Sequence, residues 1–530
     1  MKNDKNIAET AIPQKRLLLL SFFEGSCVMV AELAGGKMLA PYYGTSLYVW
    51  ASTLAITLGA LTFGYYLGGE WSKKDIVARK KRLFLTLAIA SALVILMPVL
   101  ANFIMQRTLD MSFLTGVIVS QLFFLLPPIL GMGIVSPMII SIIGDNNNSG
   151  KAAGLVYAVS TLGGVIATLL TGFFLVPIIG ISIPCVVAGA ILFLLSVLIL
   201  KPNQKIVSAA LILLLLPSIF FIYGTRDNQS DKYNVLYHNE GMLGQVKVVD
   251  FDYSFMQHTI HSRVMLVNHN WQTWIDRQNP DFSFLYYTRF TKAVISSLPQ
   301  GSSALLIGLG GGTVARQLEQ HNLSYDAVEI DGRLPKLAEK YFGLKTAVAN
   351  TKVDDGRHYV NICKKKYDLV IIDALLGENV PSHLLSVECF TKIRSLLKPT
   401  GKIFIEFDGI NEGDDGLAQQ ALFNSITKAG YKCRTFSSYP QRTSYDIMYV
   451  ATLNGDRSYD SASVHKDFYY PIEGQLKMFE VSLENDTKDV VTDNNPMLDY
   501  LLRNRMVTFR EKYLAKYNAE FMDDQMAFFK

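Results

Sequence analysis

Four motifs suited to ligand chemistry follow one another between residues 308 and 373. The first is the glycine run Gly308–Gly312, where the backbone can turn tightly and a ligand can come close. Glu329 stands 18 residues after Gly311, and Asp355-Gly356 and Asp373 follow. Carboxylates accept hydrogen bonds from ribose hydroxyls and adenine amino groups, and one of them can take a proton from an attacking amine. The spacing therefore favours a nucleotide-type ligand and a proton transfer.

Apolar runs predict that each motif ends a β-strand. We expect strands over residues 304–308, 326–331, 347–353, 367–373 and 402–406, alternating with helices over 313–320, 333–341, 356–363 and 387–397. Continuous apolar strands that alternate with helices indicate a parallel sheet covered on both faces. Such a doubly wound sheet binds its ligand beyond the carboxyl ends of the strands, where the strand order reverses.

Each motif also has a less specific interpretation. Sites for dinucleotides and for adenosyl-sulfonium cofactors both use an acidic residue at the position of Glu329, so Glu329 does not separate them. Asp355-Gly356 is also a common turn pair. We interpret His358 and His383 as structural or solvent-facing, because no triad or metal-ligand spacing accompanies them. No metal site is expected.

The chain before residue 223 has the composition of a membrane region. A helix needs about 20 apolar residues to cross a bilayer, and seven segments qualify: about 17–39, 48–69, 83–104, 113–143, 153–178, 182–200 and 206–223. The fourth is overlong, and Pro127-Pro128 in it predicts a kink or an interfacial extension. We expect a multi-pass domain over 1–223, a linker over 224–232, a small antiparallel β unit over 233–283 and a Rossmann-like domain over 284–530.

Loop charges predict the orientation in a cell membrane. The loop from Lys73 to Arg82 is strongly basic and is expected in the cytoplasm, with Lys15-Arg16 and the 201–205 loop on the same side. Seven crossings would leave the soluble domain outside the cytoplasm, where adenosyl cofactors are not supplied. Either the domain faces outward or one segment does not cross, and 206–223 is the shortest.

Two glutamates, Glu24 and Glu32, lie in the first apolar segment near one helical face. Ionisable groups at membrane depth are usually functional or paired. A polar site for a cationic solute and a structural buried pair are both open.

Charge and cysteine content exclude other classes. A net charge of +4 over 530 residues argues against a dedicated nucleic-acid binder. The five cysteines form no CxxC pair, which favours free thiols over a disulfide framework or a zinc site.

Several segments resemble the polyamine aminopropyltransferases, the spermidine and spermine synthases. They are residues 305–329, 353–357, 367–373 and 387–401. The stretch from Glu32 to Trp50 is similar to the bacterial branch in which a multi-span region is fused to such a domain. The expected fold is thus a multi-span α-helical membrane domain followed by an α/β Rossmann-like, methyltransferase-type doubly wound sheet with a small N-terminal β unit.

The resemblance implies specific roles. Decarboxylated S-adenosylmethionine, or S-adenosylmethionine itself, would be held by Gln272, Gly308, Gly310, Glu329, Asp355 and Gly356. Asp373 would be the proton acceptor, and Tyr287 and Pro381 would line the substrate site. Putrescine or another amine would receive the aminopropyl group, giving spermidine and methylthioadenosine. A homodimer through the soluble domain is a further expectation.

The sequence departs from the family pattern where putrescine would bind. Gly310 replaces an acidic residue, Asp373 is followed by Ala374 rather than by a second Asp–Pro signature, and Arg289 stands in place of a glutamate. A dicationic amine needs carboxylates to offset its desolvation. Two alternatives therefore stay open: a methyltransferase with a non-polyamine acceptor, and a membrane transporter or sensor with a non-catalytic adenosyl-binding domain.

Overall fold

The computed structural model describes residues 12–108, 111–144, 149–200, 216–220, 229–230, 233–255, 258–374, 380–407, 416–439, 447–483 and 486–502. The chain forms two compact units. The first contains Met1–Gln229, His238–Val246 and Met526–Lys530, and the second contains Ser230–Tyr237 and Lys247–Gln525.

The first unit is helical. Its helices are α1 (Gln14–Met38), α2 (Ala40–Tyr43), α3 (Leu47–Trp71), α4 (Ile76–Thr108), α5 (Phe113–Phe124), α6 (Leu126–Ile143), α7 (Ser149–Leu170), α8 (Val176–Ile179) and α9 (Ser182–Leu200). A π-helical turn, Thr171–Leu175, joins α7 to α8. Among the described residues, six helical segments are long and apolar enough to cross a membrane: Gln14–Tyr43, Leu47–Trp71, Ile76–Thr108, Leu126–Ile143, Ser149–Ile179 and Ser182–Leu200.

These six correspond to the first six predicted segments. The kink predicted at Pro127-Pro128 takes the form of a helix break at Leu125, since proline cannot supply the N–H that would continue α5. Only α6 of that segment is long enough to span. The seventh predicted segment, 206–223, lies largely outside the described residues. Only 216–220 of it are described, and they are helical.

The second unit is built on a mixed eight-stranded sheet. Its strands are β6 (Ser303–Ile307), β7 (Ser324–Glu329), β8 (Thr351–Val353), β9 (Tyr367–Ile372), β10 (Leu397–Phe407), β11 (Lys432–Ser437), β12 (Ile447–Thr452) and β15 (Glu480–Val481), in the order β15-β11-β12-β10-β9-β6-β7-β8. Strands β8, β7, β6, β9 and β10 pair in parallel, and β12 is antiparallel to β10. The order reverses between β6 and β9, as in a methyltransferase-type fold.

Helices cover this sheet on both faces. They are α10 (Tyr287–Ser296), α11 (Thr313–Gln320), α12 (Leu334–Phe342), α13 (Ala347–Asn350), α14 (Gly356–Ile362), α15 (Val387–Arg394), α16 (Leu417–Lys428) and α17 (Leu498–Leu501). Leu305 and Ile307 pack with α14, α15 and α16, whereas Ala304 and Leu306 pack with α10 and α11. This alternation follows from the two-residue period of a strand and explains why the strand is apolar throughout.

The third predicted strand was wrong in its first half. Residues Ala347–Asn350 form α13, and only Thr351–Val353 are a strand. The apolar residues of the stretch favoured either element, and Ala347 is buried in the same core as α11 and α12. Packing of a short helix onto that core therefore outweighs the apolar pattern that predicted a strand over the whole of 347–353.

A second sheet precedes this domain. Its order is β1-β2-β3-β4-β5, with β1 at Gln229–Ser230, β2 at Tyr233–Gly241, β3 at Gly244–Phe255, β4 at His258–Val267 and β5 at Asn270–Asp276. Strands β4 and β5 pair antiparallel, and a two-stranded ribbon of β13 (Ser463–Val464) and β14 (Gly474–Gln475) lies later in the chain.

Glycines set the distance between α3 and α6. A Cβ on Gly64 would lie 2.6 Å from the carbonyl oxygen of Leu130, and a Cβ on Gly68 would lie 2.6 Å from that of Ile134. The two backbones are therefore closer than any side chain permits. Close packing of this kind favours helix association in lipid, where the hydrophobic effect does not drive helices together. Gly59 and Gly69 on the same helix face open space.

The Gly64→Ala variant should be destabilised, because the added methyl group meets backbone and forces the helices apart at a cost of about 1–3 kcal/mol. Gly69→Ala is the matched control and should be neutral or slightly stabilising, since alanine is the better helix former. The measurement is thermal unfolding of the full chain in detergent. Equal unfolding temperatures for the two variants would contradict this packing.

Candidate functional site

The predicted motifs meet at one edge of the eight-stranded sheet. Strands β9, β6, β7 and β8 are neighbours and run parallel, so their carboxyl ends lie side by side. Asp373 follows β9, Gly308 follows β6, Glu329 ends β7 and Asp355 comes two residues after β8. The structure therefore brings these four together around the reversal point of the sheet.

Gly308 forms the closest contact at this edge. Its φ is +95°, a backbone conformation that favours glycine, and a Cβ there would overlap the main-chain carbonyl of Asp373. Its N–H donates to the carbonyl of Val328 at 2.8 Å. Gly312, with φ +85°, then starts α11. The glycine run thus brings the ends of two strands into backbone contact before the chain turns into a helix.

Thr273 holds the middle of the glycine run. Its hydroxyl accepts the Gly311 N–H at 2.7 Å, and it lies 3.2 Å from the position of a Cβ on Gly310. The preceding residue, Gln272, was predicted to bind the cofactor, and its carbonyl oxygen is 3.5 Å from that same position. Sequence reasoning missed Thr273, because the two segments are separated by 38 residues and share no local pattern.

Glu329 is the buried carboxylate of the site. Its Oε2 accepts the Leu309 N–H at 2.9 Å and its Oε1 accepts the Asp331 N–H at 2.8 Å. Burial raises the pKa of Glu329 to about 7, and these backbone hydrogen bonds oppose that rise. A carboxylate oxygen has two acceptor directions, so each can still receive a ligand hydroxyl. The sequence did not indicate that Glu329 also fixes the glycine run.

Asp373 is paired with Tyr287. The Tyr287 hydroxyl donates to Asp373 Oδ2 at 2.9 Å, and both side chains are half-buried. Burial raises the pKa of Asp373 to about 6, and the hydrogen bond from Tyr287 lowers it. The two predicted residues, which are 86 positions apart in the chain, are therefore in direct contact. A carboxylate with such a pKa can accept a proton near neutral pH.

Asp355 has two partners. Its Oδ1 accepts the His358 N–H at 3.0 Å and so caps the N-terminus of α14, while its Oδ2 lies 3.3 Å from His383 Nε2. His383 belongs to a 3₁₀ turn, Ser382–Leu384, that begins after the half-buried Pro381. Sequence reasoning placed His383 among structural or solvent-facing residues and gave no signal for its contact with Asp355.

The Gly356 position also contacts this turn. A Cβ there would lie 2.6 Å from a methyl carbon of Ile307 and 3.2 Å from one of Leu384. The start of α14 is therefore held between the end of β6 and the turn that carries Pro381. Gly356 is required here for space rather than for an unusual backbone angle.

Arg289 is enclosed by a carboxylate and aromatic rings. Its Nε and Nη2 donate to Asp467 Oδ2 at 2.9 and 2.6 Å, and the guanidinium lies over the rings of Phe282, Tyr286 and Tyr470. Asp467 also accepts the backbone N–H of Tyr470. The cation at this position is thus neutralised by its own partner and stabilises the fold of the 467–470 loop.

No metal-binding group was found in the part of the chain that the structure describes, where no three His, Cys, Asp or Glu side chains cluster suitably. The five cysteines are free.

Part of the second unit matches a known protein domain. A model of the spermine/spermidine synthase domain matches residues 283–440. A probable polyamine aminopropyl transferase of Bifidobacterium longum is 35% identical over 127 residues, which are 24% of this chain and 28% of that relative. The chain therefore spans only about a quarter of that relative's length.

A second relative also matches the helical region. Polyamine aminopropyltransferase 2 of Aquifex aeolicus is 23% identical over 457 residues, 82% of this chain and 85% of that protein. Among solved structures, a probable spermidine synthase from Corynebacterium glutamicum covers 44% of this chain and 84% of its own, with a TM-score of 0.34 and 17% identity. Residues 283–440 therefore resemble the spermine/spermidine synthase domain, and these relatives are polyamine aminopropyltransferases.

Proposed function

We propose that the second unit is an aminopropyltransferase that moves an aminopropyl group from decarboxylated S-adenosylmethionine to an amine such as putrescine. The single observation that carries this proposal is the contact of Tyr287 with Asp373 at the edge where Gly308 and Glu329 also lie. The products would be spermidine and methylthioadenosine. The family relationship supports the same reaction.

In this reaction the acceptor nitrogen attacks the methylene carbon bonded to the sulfonium sulfur. A carbon–nitrogen bond forms, the carbon–sulfur bond breaks, and the sulfur keeps the electron pair. The nitrogen must then lose a proton, and Asp373 takes it as a general base. Tyr287 holds the carboxylate in place. Most of the catalysis is therefore alignment of the two substrates followed by proton removal.

The donor would lie across the strand ends. Glu329 would accept the ribose hydroxyls and Asp355 the adenine amino group, with Gly308, Gly310 and Gly356 allowing close approach. Gln272 would be a further contact of the donor. Tyr287 and Pro381 would border the amine. The positive sulfonium would face Asp373, which stabilises its charge.

A methyltransferase is the second candidate, and Gly310 is the observation that favours it. Gly310 faces the Thr273 hydroxyl and contributes no negative charge to the glycine run. The carboxylate of S-adenosylmethionine would meet no repulsion there. The two candidates therefore differ in which donor binds and which group is transferred.

The test uses the full chain in detergent, given putrescine with either donor. We expect spermidine and methylthioadenosine from the decarboxylated donor, and a loss of about 10²–10⁴-fold in rate for Asp373→Asn, because an amide cannot take the proton. Methylthioadenosine binding by calorimetry should be retained in that variant, which controls for folding. Transfer of a methyl group from S-adenosylmethionine, without spermidine, would replace this proposal by the second candidate.

The pH profile should report the state of Asp373. The rate should fall as pH drops through about 6, because the protonated carboxyl is no longer a base. Tyr287→Phe removes the hydrogen bond that lowers the pKa of Asp373, so the acid limb should move to higher pH. The measurement is kcat/KM against pH for both proteins. An unchanged limb in Tyr287→Phe would show that another group controls it.

We further propose that the enzyme domain faces the cytoplasm of a membrane-bound protein. Six crossings that start inside return the chain to the cytoplasm, and they put both basic loops, Lys73–Arg82 and 201–205, on that side. Segment 206–223 would then not cross. This orientation gives the domain access to its cytoplasmic donor.

Reporter fusions decide the orientation. Green fluorescent protein fused after Lys205 and, in a second chain, after Lys530 should fluoresce in both, since it folds in the cytoplasm. Alkaline phosphatase at the same two positions should be inactive. Opposite results at the two positions would mean that 206–223 crosses the membrane and that the domain faces outward.

A further inference from the structure

Glu24 is a buried carboxyl group within the first candidate span. It lies ten residues into α1 and is only 3% exposed. Two serines from other helices contact it: Ser136 of α6 donates to Oε2 at 3.3 Å, and Ser160 of α7 donates to the same oxygen at 3.1 Å. Three helices thus converge on one acidic side chain.

The helices around Glu24 are in backbone contact. A Cβ on Gly25 would overlap the Ser160 carbonyl oxygen, and a Cβ on Gly163 would overlap that of Phe22. The approach of α1 to α7 is therefore as close as glycine permits. Packing of this kind favours a very small ligand and disfavours an organic cation at this level.

No cationic side chain pairs with Glu24 in the described residues. Cys27 on the same helix and Tyr65 on α3 interact electrostatically with it, and neither is a cation. Ser136 and Ser160 are the polar contacts that α6 and α7 supply. An ionised carboxylate in this setting would be a buried charge without compensation, which costs several kcal/mol.

We propose that Glu24 is an exchangeable proton-binding site of the helical region. In the protonated acid, Oε2 is the carbonyl oxygen that accepts both serine hydroxyls, and Oε1 carries the proton. Among the described contacts Oε1 has no hydrogen bond. A bound Ca²⁺ or Mg²⁺ ion would need six or more oxygen ligands, and these three side chains supply only four.

The chemical class of the ligand is therefore a proton. Serine hydroxyls both donate and accept, so Ser136 and Ser160 can adapt when the proton leaves or returns. Such a group is the element that proton-coupled carriers require within a membrane. This inference stands independently of the transferase activity, because it concerns the first unit alone.

Infrared spectroscopy of the full chain in lipid membranes tests the site. At neutral pH the wild type should show the carbonyl band of a protonated carboxylic acid, and Glu24→Gln should lack that component in the difference spectrum. Glu32→Gln is the matched control: Glu32 lies on the same helix, is only half-buried and has no hydrogen bond among the described residues, so its removal should leave the band in place.

Two further measurements separate exchange from a purely structural role. Transfer to deuterium oxide should shift the band, because an exchangeable proton is replaced. Ser160→Ala should move the band to higher wavenumber, since the carbonyl loses a hydrogen bond, and this variant serves if Glu24→Gln does not fold. An unchanged spectrum in Glu24→Gln, or a band that does not shift in deuterium oxide, would overturn the proposal.

Discussion

The candidate site depends on the contact between the backbone of Gly308 and that of Asp373. Strands β6 and β9 are neighbours where the strand order reverses, and no side chain fits between their ends. This places the start of the glycine run beside the carboxylate that is proposed to act as the base. Glu329 then fixes the next residue of the run through the Leu309 N–H, and Thr273 fixes Gly311. The proposed donor contacts and the proposed proton acceptor therefore belong to one connected set of backbone contacts.

Much of this arrangement could be predicted because it depends on local sequence patterns. Apolar runs predicted the strands and glycines predicted the turn, and the carboxyl ends of parallel strands must share an edge. What could not be predicted depends on distant partners. The hydroxyl of Thr273, the approach of His383 to Asp355 and the enclosure of Arg289 by Asp467 arise from tertiary packing. The helix at Ala347–Asn350 was missed for the same reason.

The lengths and the apolar character of the helices could be predicted from the sequence, but the contacts between the helices could not. Hydropathy indicated the spans, and Pro127-Pro128 indicated the break at Leu125. Hydropathy does not say which glycines touch a neighbour: Gly64 and Gly68 do, whereas Gly59 and Gly69 do not. It also left Glu24 and Glu32 equivalent, and the structure separates them by burial and by serine contacts.

Asp355 carries a consequence for how this domain can change. One of its oxygens caps α14, and the other, which lies 3.3 Å from His383 Nε2, is the one proposed to accept from a purine amino group. Loss of a helix cap costs about 1 kcal/mol, so a substitution that altered nucleobase preference would also weaken the fold. Selection on the two properties is therefore coupled at a single side chain. Substitutions that change the preferred donor without weakening the helix cap would have to lie at other residues, for instance at His383 on the neighbouring turn.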